Sequence, residues 1–400
     1  MAQRRVVITG AGTVNPLAQD VPGTFAAMRQ GAVAIGPLQI RDGARLQNHI
    51  AAQVTGWDEA RFGRDLTLYD RFTQFTMVAA EQAVAQAVDQ AGLHHDPARI
   101  GVIFGTAGAG LGTMDDSFRA VYAEGRNRVH PLTVPRLMPS APASHVAMRF
   151  GAKGPVFSLS SACASSNHAF GMALQMIRAG LADCVLTGGA DAMLTFGGLQ
   201  AWEGLRVMSP DGCRPFCASR NGMVMGEGAG VFVFEARDAA LARGARVLAE
   251  VAGVGMTSDA SDIVLPDADG AARAMRLALQ DAGLVAADVG YVNAHGTGTL
   301  ANDRIEAAVI AAVLGSDVLV SATKSLHGHL MGGAGAVELL ACLLALQDGV
   351  IAPTAGHRRD DPDCRINLVQ DAALHIPVNA CLSNAFAFGG LNAVLALTRA

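Results

Sequence analysis

Cys163 lies in Ser160-Ser161-Ala162-Cys163-Ala164-Ser165-Ser166, between a predicted strand and a predicted helix. A thiol at a helix N-terminus feels the positive end of the dipole, which favours the thiolate and makes it a nucleophile. The small neighbours leave room for a substrate, and free first-turn amides can face an oxyanion. Taken alone, the pattern fits a buried structural cysteine equally well. A second cluster, Asn293-Ala294-His295-Gly296-Thr297-Gly298-Thr299, again follows a predicted strand. A histidine on a Gly/Thr turn is poorly explained as core filler, and the hydroxyls of Thr297 and Thr299 can bond an extended polar ligand. A third, Lys324-Ser325-Leu326-His327-Gly328-His329, leads into a helix containing Glu338. Burying a lysine there is costly unless it is paired, and Glu338 is the evident partner. Finally, Phe386-Ala387-Phe388-Gly389-Gly390 sets paired glycines after an aromatic, as a tight turn would to press backbone amides against a ligand. An ordinary turn with Phe386 and Phe388 in the core fits that stretch as well.

Apolar strand-like runs alternate with helix-period segments, which predicts an α/β fold. The strand candidates are 5–9, 100–105, 156–160, 184–187, 230–234, 247–251, 289–293, 318–321 and 391–397. The helix candidates are 72–91, 165–179, 271–282, 303–314 and 335–347. An internal duplication is visible. A helix, Ala91-Gly92-Leu93, a short turn and the run 100–105 are answered by a helix, Ala282-Gly283-Leu284, a turn and the run 289–294. The strands leading to Cys163 and to Lys324 correspond in turn. Two related halves follow, 1–245 carrying Cys163 and 246–400 carrying His295, Lys324 and His329.

Composition excludes several classes. Charged residues are 16% of the chain and the net charge is −5, with no basic stripe, so nucleic acid is not an expected partner. Charge this sparse, against roughly 25% in average domains, suits completely buried helices or a large subunit interface. Gly10-Ala11-Gly12 follows a strand but is continued by Asn15 where a dinucleotide fingerprint needs glycine. The run Val6-Val7-Ile8 stops at Thr9-Gly10, and Ala336–Leu346 is short and contains Glu338, so neither a secretory segment nor a membrane span is expected. Seven scattered cysteines suggest a reducing, cytoplasmic setting. Cys213 and Cys217 flank Arg-Pro-Phe, not a metal knuckle, and no metal is expected.

The four segments in this order, with Gly226-Glu227-Gly228-Ala229-Gly230, resemble the signature of the type II β-ketoacyl-acyl carrier protein synthases of the thiolase superfamily. The resemblance covers essentially the whole chain. Ala201-Trp202-Glu203 and Cys213-Arg214-Pro215-Phe216 bring it nearer to specialised, nodulation-type members. It implies a five-layered αβαβα fold and a decarboxylative condensation of an acyl thioester, held on Cys163, with a malonyl carrier thioester. It further implies Cys163, His295, His329 and Lys324 as catalytic, Thr297, Thr299, Phe386, Phe388 and Gly389 as substrate-binding, and Glu338 as support. Lys324 would hold His329. No cofactor is implied, since substrates ride on the phosphopantetheine of acyl carrier protein. The expected partners are that carrier, docking at exposed arginines such as Arg61, Arg64, Arg126, Arg128 and Arg206, and a second copy of the chain, with a chain-length partner as the alternative. Three positions depart from the pattern: Ala387 replaces a common glycine, His327 a common threonine and Cys217 a common aspartate. His327 is expected at the surface or behind the reacting groups.

Overall fold

The computed structural model describes residues 3–88 and 95–400. Its main sheet contains strands β1 (Val6–Val14), β2 (Ile100–Gly105), β3 (Val156–Leu159), β4 (Cys184–Asp191), β5 (Gly228–Ala236) and β6 (Ala249–Ser258). It continues with β7 (Tyr291–Asn293), β8 (Leu319–Ser321), β9 (Asn367–Leu368), β10 (Ala380–Ala387) and β11 (Leu391–Thr398). The spatial order is β9-β8-β7-β10-β11-β6-β1-β5-β4-β2-β3.

The sheet repeats itself. From β1 outward, β5 and β4 pair antiparallel, then β2 and β3 pair parallel. From β6 outward, β11 and β10 pair antiparallel, then β7 and β8 pair parallel. The two units join through β1 and β6, at Val7 opposite Glu250 and Ile8 opposite Ala249. Helices complete the layers: α1 (Arg71–Val88), α2 (Ser165–Arg178), α3 (Ala268–Ala282), α4 (Leu300–Leu314) and α5 (Ala334–Asp348). On the outside, α1 covers β1 and β5, and α3 covers β6 and β11. Between the units, α2 touches β4 and β2 on one side and β11 and β6 on the other, while α5 touches β10 and β7 against β4 and β5. This is the expected αβαβα arrangement. It explains why Ala334–Leu346 is apolar on every face apart from Glu338, since a central helix has no solvent side. The stretch Met331–Asp348 is long and apolar enough to cross a membrane, yet 89% of it is buried inside the fold.

The glycine cluster after Ile8 has a packing reason. β1 runs straight through it, and a Cβ on Gly10 or Gly12 would stand 2.1 or 2.0 Å from the carbonyl oxygens of Ala83 and Ala79 in α1. Beyond its short pairing with β6, β1 donates from Ala11 N–H to Gln86 and from Thr13 N–H to Gln82, at 2.8 and 2.9 Å. The second unit repeats the close approach, where a Cβ on Gly255 would meet Ala274 O at 1.9 Å.

Predicted strands and helices fall on observed ones, usually one to a few residues short. The end of the 72–91 helix and Ala91-Gly92-Leu93 lie outside the described residues. Strand β10 was missed because Ser383 and Asn384 interrupt its apolar run. Both are buried, and the Asn384 side-chain amide donates to Glu306 of α4 at 3.1 Å.

Overpacking at these contacts should be costly. Gly12→Ala is expected to lose about 1–3 kcal/mol of unfolding free energy in a denaturant titration. Gly36→Ala, where a Cβ meets nothing within 4 Å, should leave the midpoint nearly unchanged.

Candidate active site

The turn from β3 into α2 presents the thiol. Ala162 takes a left-handed φ of 49°, unfavourable for a residue with a Cβ. The turn is locked by Ser165, whose Oγ accepts Ser161 N–H at 2.9 Å and donates to Ala162 O at 2.7 Å. Cys163 is buried at the head of the helix. Burial pushes its thiol up to about 11; the Lys324 cation lowers it, the Asp191 carboxylate raises it, and the amides of Cys163 and Phe388 lower it again. The resting group is therefore the thiol, and the backbone amides of Cys163 and Phe388 favour its ionised form.

His295 follows β7 on a turn tied to α4. Its own N–H and that of Gly296 each donate to Glu306, both at 2.8 Å. Lys324, after β8, pairs with Glu338 of α5 and donates to His295 O at 2.6 Å and to His295 Nδ1 at 3.2 Å. The expectation that Lys324 holds His329 is thus corrected: it holds His295. His329 is fixed by its own loop, its Nδ1 accepting Met331 N–H at 3.1 Å. Its Nε2 is buried and has no hydrogen-bond partner among the described residues. Burial first, and then the Lys324 cation, drive both imidazoles well below the usual histidine range. With each Nδ1 occupied as an acceptor, each neutral ring carries its proton on Nε2.

The rings meet edge to face with centroids 5.5 Å apart. One donor atom from each of Cys163, His295 and His329 lies within 4.8 Å of the others. The spacing alone would suit a tetrahedral metal. The tautomers do not, because a ligating Nε2 would need to move its proton to an Nδ1 already facing a donor.

These groups line a cavity of about 430 Å³ together with Thr297, Thr299, Phe386 and Phe388. Thr297 and Thr299 share a hydroxyl bond of 2.8 Å. The Phe388 ring stacks on Trp202, centroids 5.9 Å apart, and Phe386 lies 6.3 Å from His295. Gly389 does not line the cavity. Its φ is 80° and its N–H is bound to Ile263 O at 2.8 Å, so it shapes the turn rather than a binding contact. His327 is not at the surface: it is fully buried, bonded to Thr323 Oγ1 at 3.1 Å and lowered to about 3 by burial. Arg206 lines the cavity, whereas Arg61, Arg64, Arg126 and Arg128 are exposed elsewhere.

Three acidic residues escaped the sequence reading. Glu306 is raised to about 7 by burial, and Asp303, one helical turn earlier, accepts Phe216 N–H at 2.8 Å. Their i,i+3 spacing directly after Thr299 was the available signal. Asp191 ends β4 and gave no signal beyond its Gly-Gly-Ala-Asp context.

Fold and site together fit a condensing enzyme of the acyltransferase type, with a buried thiol facing two neutral imidazoles. The chain belongs to the beta-ketoacyl synthase family: residues 3–240 match the Beta-ketoacyl synthase, N-terminal domain, and residues 248–358 the C-terminal domain. It is 45% identical over 400 residues to Nodulation protein E of Rhizobium sp. (strain N33), covering 98% of each chain. It is 36% identical over 405 residues to 3-oxoacyl-[acyl-carrier-protein] synthase 2 of Staphylococcus aureus (strain COL), covering 98% of this chain and 97% of the other. Among solved structures, the ishigamide ketosynthase/chain length factor superposes with a TM-score of 0.94 at 35% identity, covering 100% of each chain.

Two outcomes test this electrostatic arrangement. Lys324→Met should destabilise the fold by about 3–5 kcal/mol by stranding Glu338, and adding Glu338→Leu should recover most of that loss in the same unfolding assay. Because the thiol is held near 11, iodoacetamide alkylation of Cys163 should climb roughly tenfold per pH unit from 7 to 10 without a plateau.

Proposed function

We propose that the chain joins an acyl group to a malonyl unit in two covalent stages. The observation carrying this reading is the shared cavity of Cys163 and two imidazoles, each with Nε2–H as its donor. Cys163 Sγ attacks the carbonyl of an acyl carrier thioester, and the amides of Cys163 and Phe388 stabilise the oxyanion. The old thioester bond breaks, and the thiol proton leaves with the carrier thiol. Malonyl carrier then enters, with Thr297 and Thr299 bonding its pantetheine arm. Its carboxylate departs as carbon dioxide while the Nε2–H groups of His295 and His329 hold the enolate oxygen. The enolate carbon attacks acyl-Cys163, the Sγ–carbon bond breaks, and the thiolate takes up a proton. Lys324, balanced by Glu338, orients His295 and keeps both rings neutral. Phe386 and Phe388 form the apolar wall at the acyl entrance. Decarboxylation drives bond formation, so neither metal nor redox cofactor is needed.

The protein works in the cytoplasm with acyl carrier protein, which approaches the cavity mouth beside exposed Arg206. Higher identity to the nodulation relative than to the Staphylococcus aureus synthase supports a specialised lipid pathway. A homodimer is supported by β3 at the free edge of the sheet and by exposed Phe118 and Tyr122. The seam between halves falls at 245–246, between β5 and β6.

Intact-protein mass spectrometry with a panel of acyl carrier thioesters should detect acyl adducts on the native chain and none on Cys163→Ala. His329→Ala should still be acylated but decarboxylate malonyl carrier at least about a hundredfold more slowly. Absence of any adduct on the native chain would overturn the reading.

A further inference from the structure

Asp191 is completely buried at the end of β4 and touches none of the reacting groups. Its carboxylate accepts Thr106 Oγ1–H at 2.8 Å, Ala107 N–H and Gly108 N–H at 2.9 Å, and Gly332 N–H at 2.6 Å. An ionised group in a dry interior is retained only where several donors converge on it. Here those donors come from two separate loops. Residues 106–108 lie beside the Cys163 helix, and residues 331–333 follow His329.

The second loop is strained. Met331 has a left-handed φ of 51° although it carries a full side chain. Gly332 is clamped from both sides, its N–H by Asp191 and its carbonyl by the Ser166 hydroxyl of α2. A Cβ at Gly332 would come within 2.5 Å of Ala107 N and 2.7 Å of Asp191 Oδ2, so the loops are in direct contact. The amide this turn exposes is Met331 N–H, the one that occupies His329 Nδ1. Release of the turn would leave that nitrogen free to take the proton, and Nε2 would then face the cavity as an acceptor.

We propose that Asp191 is a positioning residue for decarboxylation, holding the strained 331–333 turn so that His329 presents Nε2–H to the malonyl thioester. The inference rests on the roles of Cys163 and His329 given above. It has a signature that loss of packing would not produce. Asp191 also raises the Cys163 thiol, so removing its charge should make the sulfur no less reactive while decarboxylation fails.

The test compares native protein with Asp191→Asn in three readouts. They are malonyl carrier decarboxylation, iodoacetamide alkylation of Cys163 at pH 8, and the ring-nitrogen chemical shifts of His329 in ¹⁵N-histidine-labelled protein. Decarboxylation should fall by roughly tenfold to a hundredfold, as expected for a small misplacement at the reacting centre. Alkylation should be equal or faster, and His329 should leave its single Nε2–H tautomer. Decarboxylation within about twofold of native, or a parallel fall in alkylation, overturns the proposal. Thr106→Val, which removes one neutral donor to the carboxylate, covers the case in which Asp191→Asn does not fold. It should lower decarboxylation about threefold with alkylation unchanged, and no change overturns the proposal. The tautomer readout needs no turnover. A native chain that does not decarboxylate refutes the condensation reading, whereas an unchanged His329 tautomer in Asp191→Asn refutes the positioning role.

Discussion

Lys324 and Glu338 form an ion pair buried between the start of a short helical turn and the middle of α5. Placing two charges there carries a desolvation cost that good geometry and additional hydrogen bonds must offset. The extra bonds run to His295, at its carbonyl and at Nδ1, so the same contacts that satisfy the lysine also set the imidazole tautomer. The cation further depresses both histidines and eases ionisation of Cys163. Electrostatic preorganisation of this kind needs a water-poor site, where each dipole acts at low dielectric. The central helix layer provides it.

The cavity-lining groups converge because of strand direction. Cys163 follows β3, His295 follows β7, and Lys324 and His329 follow β8, each at the C-terminal end of a parallel strand. Phe386 and Phe388 come from the end of β10, which runs parallel to β7. Ligand sites of open α/β sheets lie at such ends, because loops there are free to vary above a rigid base. The duplicated sheet brings two sets of such ends face to face, with α2 and α5 between them. Cys163 and the two histidines therefore come from different halves of one chain.

Buried carboxylates supply the remaining rigidity. Glu306 anchors the His295 turn, Asp303 the adjacent loop, and Asp191 the loops behind Cys163 and His329. Each accepts backbone amides that no strand partner could reach, solving at the loops the problem that the ladders solve within the sheet. Burial raises all three acids. The donors around each carboxylate offset much of that cost.

Residue type and order were enough for the α/β class, the duplication and the Lys324–Glu338 pair, and the segments they singled out are the ones that bring Cys163, His295 and His329 together. Periodicity and local chemistry are properties of contiguous residues, and each of these features lies within a short stretch. Elements whose character depends on distant partners were not legible. β10 carries a buried asparagine, Asn384, whose amide donates to Glu306 of α4, and the Gly10–Gly12 cluster is explained only by the carbonyls of α1. For His327 the sequence left surface and interior open, and its bonds to Thr323 and Gly328 place it inside. The choice of histidine bonded by Lys324 was likewise decided in three dimensions, because the parallel pairing of β7 with β8 sets the His295 turn beside Lys324, while His329 Nδ1 is taken by Met331 N–H. Sequence spacing determined which chemistry this protein carries. Tertiary packing decided which atom of each group faces the substrate, since hydrogen-bond direction is fixed by neighbours remote in sequence.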